Sequence, residues 1–198
     1  MVYSPLQAAA KYFKYYVHAA NSKGHGMHSP FVYEFITKVM NDFTKYEAYE
    51  KVEQLRKQLL SDSTELLIED MGAGSSATSS DRRTVSSIAK NAAKPKKFGQ
   101  LLYRMAKFYQ PQTILELGTS LGITSSYLAL GNPSAKVITM EGASSVADKA
   151  LDNFRQLHIR NIELVRGNFD STLDDVLGTN QRIGLAFIDG NHRQEPTR

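Results

Sequence analysis

From Thr113 onward the chain switches between two periods. Short apolar runs bounded by glycine, asparagine or acidic residues predict strands at 113–117, 136–140, 162–166 and 183–188. Between them, apolar positions recur at helical spacing and predict helices at 123–131, 144–158 and, more briefly, 171–177. Two more helices are expected upstream, at Thr84–Ala93 and Lys96–Tyr109, the second leading straight into the first of these strands. Strands that alternate with helices predict a parallel α/β sheet joined by right-handed crossovers.

The front of the chain has helical periodicity only. Leu6, Ala9, Ala10, Phe13, Tyr16 and Val17 mark a helix over Ser4–Ala20, which Asn21–Gly26 breaks. Ser29-Pro30 reads as an N-cap with proline at the first helical position, opening a helix through about Met40. A third helix spans Tyr46–Leu60, with Val52, Leu55 and Leu59 on one face. A short apolar run, Leu66–Ile68, leads into Gly72-Ala73-Gly74-Ser75 and a serine-rich stretch, expected to form a mobile loop near 72–80.

Composition narrows the picture. At 198 residues the chain can bury one sizeable core, or one core with a small appended domain. It contains no cysteine, which removes disulfides, a thiolate nucleophile and zinc–thiolate sites. No apolar run reaches the roughly 18 residues of a membrane span, and Lys11, Lys14 and His18 interrupt any secretory core, so a cytoplasmic location is expected. The net charge of +4 is uneven: residues 1–110 carry 16 Lys/Arg against 10 Asp/Glu, and residues 111–198 carry 8 against 10. Such asymmetry suits an anionic substrate or a nucleic-acid partner for the front half; beside it stands the plainer reading of a solvated helical surface, since the lysines are scattered and not clustered.

The chemistry gathers at the strand ends. Ile114–Leu117 runs into a turn holding Gly118, Thr119, Ser120 and Gly122, in the position where an open α/β sheet binds ligands. Gly118 and Gly122 are expected to let the backbone approach the ligand, and Thr119 and Ser120 to hydrogen-bond it. Glu141, followed by Gly142, lies 23 positions after Gly118 and is spaced to accept from ribose hydroxyls. A dinucleotide fingerprint would have a third glycine. The acid Glu116 just before the turn would repel a pyrophosphate but suits a cationic ligand.

Glu116–Gly122, Glu141, Gly167–Asp170 and Phe187–His192 together resemble the strand-end motifs of class I S-adenosylmethionine-dependent methyltransferases. The closest branch is that of the O-methyltransferases acting on catechol and caffeoyl-CoA, and the resemblance covers residues 95–198. It implies a Rossmann-like domain over 95–198, truncated after its fourth strand, behind a helical extension over 1–94 that covers the cofactor or shapes the acceptor pocket. The unpaired apolar edge of such a sheet would suit a second copy of the chain, as a homodimer. The resemblance further implies S-adenosylmethionine as cofactor, held by Glu116 and Glu141, with Asn168 or Asp170 at the adenine amine and Phe169 against the ring.

Asp189 would lie beside the transferred methyl. In metal-dependent relatives that acid is a Mg or Ca ligand, its remaining partners coming from a later strand. His192 would serve as general base toward a small-molecule acceptor. Plainer roles stand beside these: a salt bridge for Glu116, a helix cap for Glu141, an N-cap for Asp170, a surface position for His192. The competing function is a non-catalytic Rossmann-like protein that engages RNA or a protein partner. Two front-half motifs stay without assignment. One is the turn around His25 and His28; the other is the Gly72–Ser75 loop with Arg82 and Arg83, an anion cradle lacking the lysine of a P-loop. Together the two motifs resemble those of a group of uncharacterised bacterial proteins of this methyltransferase type.

Overall fold

Four parallel strands form the central sheet: β3 (Thr113–Leu117), β4 (Lys136–Glu141), β5 (Ile162–Arg166) and β6 (Leu185–Ile188), in the spatial order β5-β4-β3-β6. The computed structural model describes residues 6, 10, 11, 28–68, 82–180 and 182–190. The chain steps outward from β3 to β5 and then returns to the other side of β3. The strand order therefore reverses between β3 and β6, and such a reversal opens a crevice at the carboxyl ends of the strands.

Alternation along the strands sorts the side chains between two layers. Ile114 of β3 and Val137 of β4 pack with Leu102, Ala106, Leu128 and Ala129, from helices α4 (Lys96–Tyr109) and α5 (Ile123–Gly131). Leu115, Leu117, Ile138 and Met140 face the opposite side, against Val176 and Leu173 of α7 (Phe169–Thr179). Every second residue faces one side of a strand, so Glu116 shares the layer of Ile114, beneath α5. Close helix packing accompanies this: a Cβ on Gly99 of α4 would stand 2.5 Å from the ring of Tyr127 on α5.

Upstream, α2 (Glu47–Ser61) buries Tyr49, Val52, Leu55 and Leu59 in a core shared with Tyr103, Tyr127 and Val146, the last from α6 (Ser144–Gln156). Two three-residue strands, β1 (Glu65–Leu67) and β2 (Arg82–Thr84), pair antiparallel with Leu66 opposite Arg83, and α3 (Val85–Ala92) follows at once. The ribbon is anchored to α6: Ser145 Oγ donates to the Leu67 carbonyl, and Lys149 meets Asp62 at 2.6 Å.

By internal packing the chain divides into units 1–44 and 45–198. The expected boundary at 94/95 falls within the second unit, between α3 and α4, because α2 and α3 contribute to the same core as α5 and α6. In the first unit, α1 (Pro30–Glu34) starts as its sequence predicts, Ser29 Oγ accepting from the Val32 amide at 3.4 Å. The helix widens into a π turn over Phe35–Met40, where Asn41 N–H reaches back five residues to Ile36. Most of the expected Ser4–Ala20 helix, the Asn21–Gly26 break, His25 and the loop near 72–80 lie outside the described residues.

Observed strands and helices follow the sequence pattern within two residues between 96 and 166; beyond that, β6 starts at Leu185, two residues later than expected, and α7 differs at both ends. Helix α7 runs over Phe169–Thr179, longer than the expected 171–177, and its N-cap is Asn168, whose side chain accepts from the Asp170 amide at 3.1 Å. Asp170 is thus inside the first turn and not at the cap. The antiparallel β1–β2 ribbon was not expected. β6 edges the described sheet, with Ile188 64% exposed. Among the described residues no helix is long and apolar enough to cross a membrane.

Candidate functional site

The strand ends on one side of the sheet are cross-tied beyond their ladders. The amides of Gly118 and Thr119 both donate to the Met140 carbonyl at 3.0 Å, Asp189 N–H donates to Leu117 at 2.9 Å, and Gly167 N–H to Glu141 at 3.0 Å. These bonds bring the loops after β3, β4, β5 and β6 to one rim, around a cleft of about 280 Å³. Gly118, Thr119, Ser120, Glu141, Gly142, Asn168, Phe169 and Asp189 all line it. The opposite wall comes from Ile68, Arg83, Ile88, Ala92 and Ala93.

Glu141 is held rigidly. One carboxylate oxygen accepts from the Ser120 amide at 2.8 Å and the other from the Ala143 amide at 3.0 Å. Ser120 sits at φ 49°, a left-handed conformation uncommon for a residue with a side chain, so the loop is held in place by its surroundings. Each carboxylate oxygen can accept a further hydrogen bond beyond these two amides. The helix-cap role for Glu141 is met in part, through Ala143, the N-cap residue of α6.

Glu116 is elsewhere. It is fully buried and does not line the cleft; Ser125 Oγ of α5 donates to it, and Thr139 Oγ1 of β4 donates to the same oxygen at 2.6 Å. Its other oxygen has no hydrogen-bond partner among the described residues. Burial pushes its carboxyl up to about 7, against the lowering effect of those two hydroxyls. The salt bridge offered as its plain role is absent among the described residues, and hydroxyls take its place. A second-layer chain runs from there to the cleft wall, since Thr139 Oγ1 lies 2.6 Å from Thr119 Oγ1.

The two turn glycines also have packing reasons within the protein. A Cβ on Gly118, at φ 98°, would stand 2.7 Å from the Asp189 carbonyl oxygen. One on Gly122, at φ 77°, would stand 2.4 Å from the Phe154 ring. Both therefore serve protein packing: Gly118 lets the β3 and β6 loops meet, and Gly122 lets α6 close over the turn. Gly122 and Asp170 do not line the cleft.

Asp189 pairs with Lys94, N–O 2.8 Å, a residue between α3 and α4 that sequence spacing did not connect to the site. Among the described residues no group of three His, Asp or Glu side chains converges as a metal site. With an ammonium already on Asp189, the residues present do not fit a Mg or Ca centre there. His192 lies outside the described residues. Arg83, noted in the sequence as part of a candidate anion cradle, lines the cleft from β2, a three-residue strand with too little periodicity to be read.

Residues 115–198 match a family model described as a methyltransferase domain. A tRNA (guanine-N(7)-)-methyltransferase from Mycoplasma mobile is 34% identical over 77 residues, which is 39% of this chain and 38% of that protein. In fold, the chain resembles an O-methyltransferase from Bacillus cereus, solved with S-adenosylhomocysteine (TM-score 0.50, 19% identity, 80% of this chain and 60% of that one). It also resembles the S-adenosylhomocysteine-bound methyltransferase PaMTH1 of Podospora anserina (TM-score 0.50, 13% identity, 96% and 60%). The chain spans less than two thirds of the length of each of these relatives. Residues 115–198 thus match a methyltransferase domain, and the fold of the chain is shared with these two methyltransferases.

Proposed function

We propose that the cleft binds S-adenosylmethionine and that the protein transfers its methyl group to an oxygen of a small-molecule acceptor. The observation that carries this is Glu141: a carboxylate fixed by two backbone amides at the end of β4, opening onto the cleft beside the Gly118–Leu121 turn. Such a group fits a ribose diol, which offers two donors to one acceptor pair. When bound, the cofactor supplies an electrophilic sulfonium methyl.

The remaining lining residues support the same reading. Asn168 and Phe169 would frame the adenine, one through its amide and the other through its ring face. The Thr119–Ser120 backbone would follow the amino-acid arm. Asp189 adds negative charge close to where a cationic sulfonium would lie, and the Lys94 ammonium beside it favours an acceptor oxygen as it loses its proton. His192 is retained as the proposed general base. Rate enhancement would come mainly from holding two substrates in near-attack geometry. The upstream residues Ile68, Ile88, Ala92 and Ala93 would shape the acceptor side, the role expected of the segment before residue 95. Their apolar character favours a small organic acceptor over a polynucleotide.

The test is calorimetric titration of S-adenosylhomocysteine into the wild type and Glu141→Ala. Micromolar binding, weakened tenfold or more by the substitution, is expected on the scale of a charge-assisted hydrogen bond pair. Tight binding that Glu141→Ala leaves unchanged would contradict the assignment of the ribose site.

A further inference from the structure

The β1–β2 ribbon carries two consecutive arginines with opposite fates. Arg82 points outward and pairs with Glu65 across the ribbon, at 3.6 Å and largely exposed. Arg83, one residue on, faces the other way, as strand alternation requires, and lines the cleft. Its Nε is sealed from solvent and has no hydrogen-bond partner among the described residues, and no carboxylate among them pairs with its guanidinium.

The other charges on the cleft are already answered. Asp189 has Lys94, and Glu141 has the amides of Ser120 and Ala143. Arg83 is therefore the cleft's uncompensated cation among the described residues, and an enclosed N–H without an acceptor costs free energy until a ligand supplies one. The backbone that carries it is held in place: its strand pairs with β1, the Val85 amide donates to Thr64 at 2.9 Å, and Ser145 on α6 donates to β1. A guanidinium based on such a strand matches a planar carboxylate, which can take two parallel N–H bonds.

We infer that Arg83 is a carboxylate-binding residue of the cleft. The carboxylate has two sources: the α-carboxylate on the amino-acid arm of the proposed cofactor, or an acid group on the methyl acceptor, both of which rest on the function proposed above. In the second case the acceptor is an amphipathic acid, its apolar part against Ile68, Ile88, Ala92 and Ala93.

The experiment titrates wild type, Arg83→Gln and Arg83→Lys with three probes. S-Adenosylhomocysteine carries the amino-acid arm, 5′-methylthioadenosine has the same nucleoside thioether without it, and benzoate is a plain apolar acid. If the cofactor supplies the carboxylate, Arg83→Gln weakens S-adenosylhomocysteine about tenfold or more and leaves 5′-methylthioadenosine unchanged. If the acceptor supplies it, both nucleosides bind Arg83→Gln normally, and the saturable benzoate binding of the wild type is lost. Arg83→Lys keeps part of either effect and reports that the ribbon still folds. Unchanged binding of all three probes in Arg83→Gln would overturn the inference. A wild type that binds neither nucleoside would sink the methyltransferase reading alone, and the benzoate comparison would still decide for or against the arginine.

Discussion

Lys94 holds its ammonium 2.8 Å from the carboxylate of Asp189, joining the segment between α3 and α4 to the loop after β6 across the mouth of the cleft. Asp189 is thereby occupied by a cation from the protein itself. The metal-dependent pattern would put a hard ion there, and hard ions need several oxygens that do not converge among the described residues.

One consequence is indifference to divalent cations. Millimolar Mg or Ca is expected to shift the melting temperature of the wild type by less than about 1 °C, because a ligand stabilises only in proportion to its binding. Chelation is expected to leave S-adenosylhomocysteine affinity unchanged within about twofold. A saturable rise in melting temperature that Asp189→Asn abolishes would restore the metal site.

A second expectation concerns pH. Glu116 has a folded pKa near 7, above the ordinary 4.5, so the folded state binds the proton more tightly than the unfolded one. Stability from this group is complete below about pH 4.5 and is lost as pH rises through 7, a swing of up to about 3 kcal/mol. Asp62 has the opposite sign. Hydrogen bonding to Lys149 and Thr64 lowers it to about 2, so its contribution is present above pH 3.8 and disappears as pH falls toward 2. Denaturant melts from pH 5 to 8 should show the wild type losing stability as pH rises while Glu116→Gln stays nearly flat. Parallel curves would show that the Glu116 carboxyl is not raised.

The glycine turn gives a packing test. Gly122→Ala forces a Cβ to within 2.4 Å of the Phe154 ring at a positive φ, and a cost of about 2–4 kcal/mol is expected. In a Phe154→Leu background, which bears its own packing cost, Gly122→Ala should cost only about 1 kcal/mol for the backbone conformation. A Gly122→Ala cost as large there as in the wild type would mean that the collision is not the cause.

These outcomes bear on what the sequence could show. Strand β3, helices α4 and α5 and strand β5 lie where their periodicity puts them, because each has either a continuous apolar run or a clear amphipathic face. The sequence motif placed Glu116 at the ligand, yet its parity with Ile114 puts it under α5, a distinction that alternation along β3 already contains. The turn glycines were legible as necessary but not in their reason, since Phe154 and Asp189 lie 32 and 71 positions away from their respective partners. Arg83 was legible as a candidate anion ligand but not as a residue of this cleft, and Lys94 not at all, for the same cause. A three-residue strand and a short linker carry no period, and their places at the cleft exist only once α2, α3 and α6 have packed. Asn168 displaced Asp170 as the cap because the chain is extended at Asn168 and its side chain reaches the next amide but one.

The most direct measurement is hydrogen–deuterium exchange with and without S-adenosylhomocysteine. The ligand should slow exchange in the Gly118–Thr124 turn, at Glu141–Val146, around Gly167–Phe169 and at Asp189–Gly190, the four strand-end segments that line the cleft. Peptides from the outer part of α7 and from the middle of α2 should not change. Protection of those four segments together is the predicted result. Protection confined to other segments, or none at ligand concentrations that saturate binding, would contradict the proposal that this cleft is the cofactor site.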